Sequence, residues 1–423
     1  MATKNTRHLH APADTAGDGR PRVLLLTHSY WPEHSPPQRR WGAFAREFSS
    51  QGWSLHVVAP LPHEAGRRES PSERAVFRTE KGPHGERVMR VPYLRHRNST
   101  LSKFLDQSFS ALLSVPATFR LPQVDIVVAT APSLPTLATG FLVARLRRIP
   151  LVVEMRDAWP DLARDARLVK GRVKSLVEWA VEFVQQRATV VVTVTEGFAQ
   201  TLRDRGLRSV VCISNGVRVD SLPVLEDRGG GDSPFTAVYL GNLGKSQRLD
   251  VAIRAAALVG PAMRLHIVGH GVEQEALRRL AEELGAPVTF HGTLHGPELM
   301  DRYAGADTCL VSLRDDWKSF ETTVPSKLYE VLALGRHVTA VVRGEAARIV
   351  EEAQAGHIVA CHPEPLAELW THLAANRDSL GRPGGGRAWV REHADHPMLA
   401  RQYMELITRT LAEQGGRGRE TAL

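Results

Sequence analysis

Along the chain, short runs of consecutive apolar residues alternate with longer stretches in which apolar positions recur every three or four residues. The first pattern suits strands buried on both faces, the second helices with one buried stripe, and their alternation predicts parallel α/β sheets. Arg22–Thr27 (RVLLLT) reads as a first buried strand, and a helix over Arg39–Gln51, ended by Gly52, leads to a strand at Leu55–Ala59. Further strands are expected at Val88–Val91, Ile126–Thr130, Leu151–Met155, Thr189–Thr193 and Val210–Ile213, with helices at Val173–Arg187 and Glu196–Arg205. The texture then breaks at Ser221–Pro234, which holds three consecutive glycines and two prolines without apolar periodicity, as a linker does. The alternation restarts with strands at Thr236–Leu240, Arg264–Val268, Val288–His291, Thr308–Ser312, Val338–Val342 and His357–Ala360. Between them lie helices at Arg248–Val259, Glu273–Leu284, Gly296–Ala304, Ser326–Leu334 and Ala346–Ala355, and a final one at Met398–Glu413.

The expected fold class is therefore α/β, two doubly wound parallel-sheet halves over residues 21–220 and 235–395, joined by the 221–234 linker. A flexible leader (1–20), a last helix within 396–414 placed to cross back to the first half, and a 415–423 tail complete the organisation. Met1–Arg20 has no apolar core and is not a signal peptide. Ile126–Ala144 lacks charge, but Pro132, Ser133, Pro135 and three threonines split it into a strand, a turn and a helix rather than a membrane span. Leu101–Val115 has apolar residues at helical spacing, which fits either a helix packed on the sheet or a membrane-surface helix, with Arg90, Arg95, His96 and Arg97 just upstream.

Composition narrows the picture. The 423 residues are 43% hydrophobic and 24% charged, which excludes a disordered or fibrous chain and is long enough for two domains. Three scattered cysteines form neither a disulfide framework nor a zinc motif and point to a reducing, cytoplasmic setting. The +8 net charge allows an anionic partner: nucleic acid, a phosphate-bearing ligand or a membrane surface. Helix-turn-helix, zinc-finger and aromatic-platform patterns are missing from the sequence, so nucleic acid is set aside.

In open parallel sheets, ligands gather at the carboxyl ends of strands. Three loops there carry chemistry. Gly241, Asn242, Gly244 and Lys245 follow the 236–240 strand, and Gly269 and Gly271 follow the 264–268 strand; such glycines let backbone amides approach an anion, although an ordinary strand-to-helix turn looks the same. Neither fits a dinucleotide fingerprint. The third, Thr323-Val-Pro-Ser-Lys-Leu-Tyr-Glu330, begins a helix at Pro325-Ser326; its free amides and Lys327 suit a diphosphate, and Glu330 suits sugar hydroxyls, while a plain helix cap with a solvated lysine is the alternative.

These loops, together with Tyr30-Trp-Pro-Glu33, Arg40, Gly52-Trp-Ser-Leu-His-Val-Val, Glu154-Met-Arg-Asp157-Ala-Trp-Pro160, Ser214-Asn-Gly-Val217 and Val268-Gly-His-Gly271, resemble the retaining glycosyltransferases of family 4 over about Arg22 to Leu411. The subgroup most similar makes bacterial surface polysaccharides, often with amino or deoxy sugars. The resemblance implies the GT-B fold, two Rossmann-like domains facing each other across a cleft. It also implies a nucleotide diphosphate sugar as co-substrate, UDP first, and a hydroxyl of a glycan, lipid-linked or small-molecule acceptor. No metal and no cofactor is implied, and the expected location is cytoplasmic, at the inner face of the membrane.

By this resemblance Glu330 holds the ribose, and Gly241, Asn242, Gly244, Lys245, Gly269, Gly271, Pro325, Ser326, Lys327 and Leu328 form the donor side, with Thr293 near the base. Asp157 orients the acceptor hydroxyl or caps a turn, and His28, Arg39, Arg40 and Arg156 face an anionic acceptor, with a solvated-surface role the alternative for Arg39. Four positions depart from the family: Thr322 stands eight residues before Glu330 where a carboxylate is usual, with Glu321 beside it. Asn242 and Gln247 are neutral where an Arg and a Lys are common, leaving Lys245, Arg248 and Lys327 as charge sources, and Arg156 stands where many members have His. Rival readings are a sugar-nucleotide epimerase or phosphorylase of the same fold, and a partner subunit with a decayed donor site.

Overall fold

In the first strand, β1 (Arg22–Leu26), Val23 and Leu25 are buried on one side of a sheet and Leu24 and Leu26 on the other, so apolar residues are needed at every position. The fold, taken from a computed structural model, is described for residues 20–33, 35–62, 77–94, 100–158, 161, 171–225, 233–380 and 385–420. Residues 1–19 of the expected leader, most of the linker, and Arg95, His96, Arg97, Trp159 and Pro160 lie outside the described residues.

The first half is an eight-stranded sheet in the order β3-β4-β2-β1-β5-β6-β7-β8. Its strands are β1, β2 (Ser54–Pro60), β3 (Arg78–Lys81), β4 (Arg87–Val91), β5 (Ile126–Thr130), β6 (Leu151–Met155), β7 (Val190–Thr193) and β8 (Val210–Cys212). Seven pair in parallel, and β3 runs antiparallel on the edge of β4. The hydrophobic pattern does not predict β3, because RTEK is largely exposed and has no apolar alternation. Among the described residues five helices cross over: α1 (Pro36–Ser50), α2 (Thr100–Thr118), α3 (Leu134–Arg147), α4 (Gly171–Arg187) and α5 (Glu196–Asp204). Helix α1 starts three residues earlier than the periodicity predicts, since Ser35 accepts the Gln38 amide at 3.3 Å and Pro36-Pro37 fill the first turn.

The second half is a six-stranded parallel sheet, β11-β10-β9-β12-β13-β14, built from β9 (Phe235–Leu240), β10 (Met263–Val268), β11 (Val288–Phe290), β12 (Thr308–Ser312), β13 (Val338–Val341) and β14 (Gly356–Ile358). Around it pack α6 (Leu249–Val259), α7 (Gln274–Glu283), α8 (Gly296–Ala304), α9 (Ser326–Ala333), α10 (Gly344–Glu352), α11 (Pro363–Ala375) and α12 (Gly385–His393). Helices α11 and α12 were not expected from the sequence. The last helix, α13 (His396–Glu420), leaves the second domain and packs on α1, with Leu399, Tyr403 and Ile407 in the core of Trp41, Phe44 and Phe48. Strand order reverses beside β1 in one sheet and beside β9 in the other, the two switch points where ligand crevices form. This is the GT-B arrangement. Among the described residues no helix is long and apolar enough to cross a membrane.

Candidate functional site

The carboxyl ends of the two sheets meet across a cleft with two lobes. A cavity of about 440 Å³ is lined by Arg156, Asp157 and Thr195 from the first domain and by Gln247, Thr322 and Pro325 from the second. One of about 470 Å³ lies between α1 and α9, lined by Arg39, Arg46 and Arg218 on one side and Glu330 on the other. Arg156, Asn215 and Ser326 line both, so the lobes are continuous at these three residues.

Helix α9 brings the second domain's chemistry to this junction. Pro325 holds an extended conformation just before it, so the first-turn amides of an exposed Ser326 point out of the helix with the positive end of its dipole. Lys327 Nζ lies 2.9 Å from both oxygens of Glu330, and the Tyr303 hydroxyl donates to the same carboxylate at 2.9 Å. Burial and that carboxylate hold the Tyr303 hydroxyl well above its ordinary range, so it stays a donor. Leu328, expected on the donor side, is instead fully buried in the core, and its amide donates to Pro325 O at 2.9 Å. The helical period forces this: the residue two after Ser326 turns inward. Thr322 lines the cleft, whereas Glu321 is exposed and lines neither lobe.

The glycine loops pack closely against each other. A Cβ on Gly269, whose φ is +137°, would sit 1.9 Å from Gly241 O, and one on Gly271 would sit 2.2 Å from Leu243 O. The loops after β9 and β10 thus lie backbone against backbone, tied by Leu243 N to His270 O at 2.9 Å. Gly241, Asn242, Gly244, Lys245, Gly269, Gly271 and Thr293 line neither lobe; the Gly244 amide is taken by Gln247 Oε1 at 3.1 Å. Arg248 pairs with Asp250 at 3.0 Å. Of the charge sources expected in this domain, Lys327 lies between Ser326 and Glu330, two residues that do line the cleft, and is paired with Glu330, whereas Lys245 and Arg248 adjoin Ser246 and Gln247 of the other lobe.

The first domain brings a largely buried cation to the junction. Arg156, in the loop after β6, has no hydrogen-bond or ion-pair partner among the described residues, and its Nε is buried. Burial pulls its guanidinium below the usual arginine value and pushes the neighbouring Asp157 carboxyl up, the Arg156 charge opposing that rise. Arg39 is exposed on the lobe wall. Arg40 lines it too but is spent on structure: Nε donates to Glu154 at 3.1 Å, Nη2 to Ile213 O at 2.9 Å and Nη1 to Ser214 O. His28 is not brought to the cleft; it sits 3.7 Å from buried Asp106 and lines a small separate cavity with Ser110 and Thr136.

A contact between the domains closes the site's far end. Glu345, at the start of α10, accepts the Glu196 and Gly197 amides at 2.9 and 2.7 Å, capping α5 of the opposite domain. Glu345, Thr195, Arg46 and Arg218 escape a linear reading, because no local motif marks them and their place in the site depends on contacts across the fold. Among the described residues no group of three His, Cys, Asp or Glu side chains is placed to hold a metal.

Comparison with known families settles the class. Residues 36–216 match the model of the glycosyl transferase 4-like domain, and residues 234–376 match that of glycosyl transferases group 1. The chain belongs to the family-4 glycosyltransferases of GT-B fold. No curated protein matches it in sequence. Among solved structures this glycosyltransferase is similar to sucrose-phosphate synthase from Thermosynechococcus elongatus, with TM-score 0.73 and 14% identity over 93% of this chain and 100% of that one. HepE from Anabaena, in complex with UDP and glucose, has TM-score 0.66 and 16% identity over 92% and 100% of the two chains. WaaB, a lipopolysaccharide outer core galactosyltransferase, has TM-score 0.59 and 12% identity over 93% and 99%. At these identities the structures speak for the glycosyltransferase's fold.

Proposed function

We propose that this glycosyltransferase moves a sugar, with amino and deoxy sugars the first candidates, from a nucleoside diphosphate to a hydroxyl of a lipid-linked or small-molecule acceptor, with retention of configuration and without a metal. The observation that supports the reading is the pairing across one junction: Ser326 at the N-terminus of α9, with Lys327 next in sequence, on one side, and Arg156, with no partner among the described residues, on the other. Sugar transfer needs stabilisation of a departing diphosphate more than a strong nucleophile, and donors fixed in advance in a narrow cleft supply it. In the proposed step the bond from the anomeric carbon to the diphosphate oxygen breaks as the acceptor oxygen bonds to the same face. The acceptor's proton passes to the departing phosphate oxygen, and Asp157 orients the hydroxyl. Glu330 exchanges its bond with Lys327 for the ribose hydroxyls, which frees Lys327 for the diphosphate. HepE's complex with UDP supports UDP as the first nucleotide to try, and WaaB's activity a cell-surface glycan acceptor.

The test is a thermal-shift screen against UDP-, GDP- and dTDP-sugars, followed by mass spectrometry of products with lipid-linked and soluble acceptors, with and without EDTA. Product that requires an acceptor, keeps the anomeric configuration and survives EDTA is expected. Conversion of the sugar nucleotide without acceptor would show an epimerase, and no shift with any donor would show a decayed site.

A further inference from the structure

Fifteen large apolar side chains are exposed among the described residues, and nine of them fall between Leu94 and Trp179. Seven of the nine lie on α2, α3 and α4, and Phe119 follows directly on α2; the three helices lie side by side over one face of the first sheet. Thr139 of α3 donates to Ala111 O of α2 at 2.9 Å, and the Phe141 and Phe183 rings join α3 to α4 at 5.5 Å. Leu105, Leu112 and Phe119 recur every seven residues and so form one outward stripe, with Leu112 70% exposed. Leu142 and Leu146 stand one turn apart on α3, and Trp179, 59% exposed, stands beside Leu176 on α4. A patch of this extent on a monomer's outside marks a place where something binds.

Charge says what. Across residues 100–120, 134–148 and 171–187 the sequence has eight basic residues and three acidic ones, and one of the three, Asp106, is buried and turned to the Leu94 amide. Arg145 and Arg148 are exposed at the end of α3. Arg147 and Arg187 lie over the Phe119 and Phe183 rings at 5.0 and 3.7 Å, with cations at the edge of apolar surface, as in side chains that reach for an interface. Arg90, by contrast, is buried against Glu80 at 2.6 Å and lends nothing to this face. A second copy of the chain would set like charges against each other, whereas an anionic bilayer complements both the apolar stripe and its basic rim.

We propose that the outer face of α2, α3 and α4 docks on an anionic lipid surface, the helices lying in the interfacial plane with Phe104, Leu112, Leu146 and Trp179 entering the headgroup region. The inference stands on this surface and needs no particular reading of the transfer reaction.

The full chain is sedimented with phosphatidylcholine vesicles with and without about one third phosphatidylglycerol. Binding is expected only with the anionic lipid, about tenfold weaker at high salt. Leu112→Ser/Trp179→Ser and, separately, Arg145→Glu/Arg148→Glu should each weaken it about tenfold with circular dichroism and thermal-shift response to nucleotides unchanged. A blue shift of tryptophan emission on these vesicles should vanish in Trp179→Phe. Failure of the chain to sediment, equal partition by the wild type and both variants, or a dimer in light scattering that Leu112→Ser dissociates would overturn the proposal, the last by giving the face to a second copy.

Discussion

Lys327 and Glu330, one turn apart on α9, satisfy each other: the ammonium stands 2.9 Å from both carboxylate oxygens. In the proposed reaction these two groups serve donor departure and donor recognition, and there a bound nucleotide has to open the pair. Lys327→Ala is expected to lower kcat roughly a hundredfold or more, the scale of losing one fixed donor to a developing anion. Stability should move by less than about 1 kcal/mol, because a partly exposed pair contributes little. Steady-state kinetics beside urea denaturation checks both; near-normal kcat would remove Lys327 from the chemistry.

Arg156 lines both lobes with no partner among the described residues. Arg156→Ala is expected to reduce kcat/KM by about two orders of magnitude and Arg156→Lys by less, since a point charge restores part of what the planar group supplies. Equal effects of the two substitutions on kcat/KM, measured with a soluble acceptor, would show that its charge is not what matters.

Gly197 sits at the α5 N-terminus where the domains touch. A Cβ there would lie 2.9 Å from Thr322 Cγ2 and 3.0 Å from Glu345 Oε2. Gly197→Ala is therefore expected to wedge the cleft and cut kcat/KM about ten- to a hundredfold while the fold persists. Glu345→Ala should raise the donor KM with a loss of about 1 kcal/mol in stability from the uncapped helix. Unchanged kinetics in both variants would mean that this contact does not set the working geometry.

Arg40 and Glu154 are both buried, and Trp41 Nε1 and Thr130 Oγ1 also donate to the carboxylate, at 3.0 and 3.1 Å. Glu154→Leu leaves the guanidinium unmatched and should cost about 3–5 kcal/mol by urea unfolding; the double variant Arg40→Met/Glu154→Leu should cost less than the single one. A cost for the double equal to the sum of the singles would mean the two charges do not act as a pair.

Burial, aided by the Arg40 and Arg218 charges, depresses the His396 imidazole to about 4, and burial beside His357 depresses His337 to about 3. Both are neutral in the fold and protonate more readily when unfolded. Their share of stability is complete above about pH 6.5 and is lost as pH falls from there towards those lowered values. Melting temperature should fall steeply over that window, and less steeply in His396→Gln; parallel profiles would discount His396.

Much of the fold was legible in the linear pattern, because a strand covered on both faces must be apolar throughout and a helix laid on a sheet must repeat every three to four residues. Helix α9 and its Ser326, Lys327 and Glu330 were legible for the same reason: a helix start is a local event written in Pro, Ser and the residues that follow. Strand β3 was hidden because an edge strand is exposed, and α12 because its opening lies in a glycine cluster.

Local sequence thus determined most of the elements, the two-sheet class and the exposed start of α9. Only the tertiary structure decided that the glycines after β9 and β10 serve close backbone packing, that Leu328 is core, and that Arg40 is tied to Glu154 while Arg156 is left unpaired. These are differences of partnership. Two arginines read alike along a chain, and the free energy of each depends on which groups, hundreds of residues away, end up within hydrogen-bond reach.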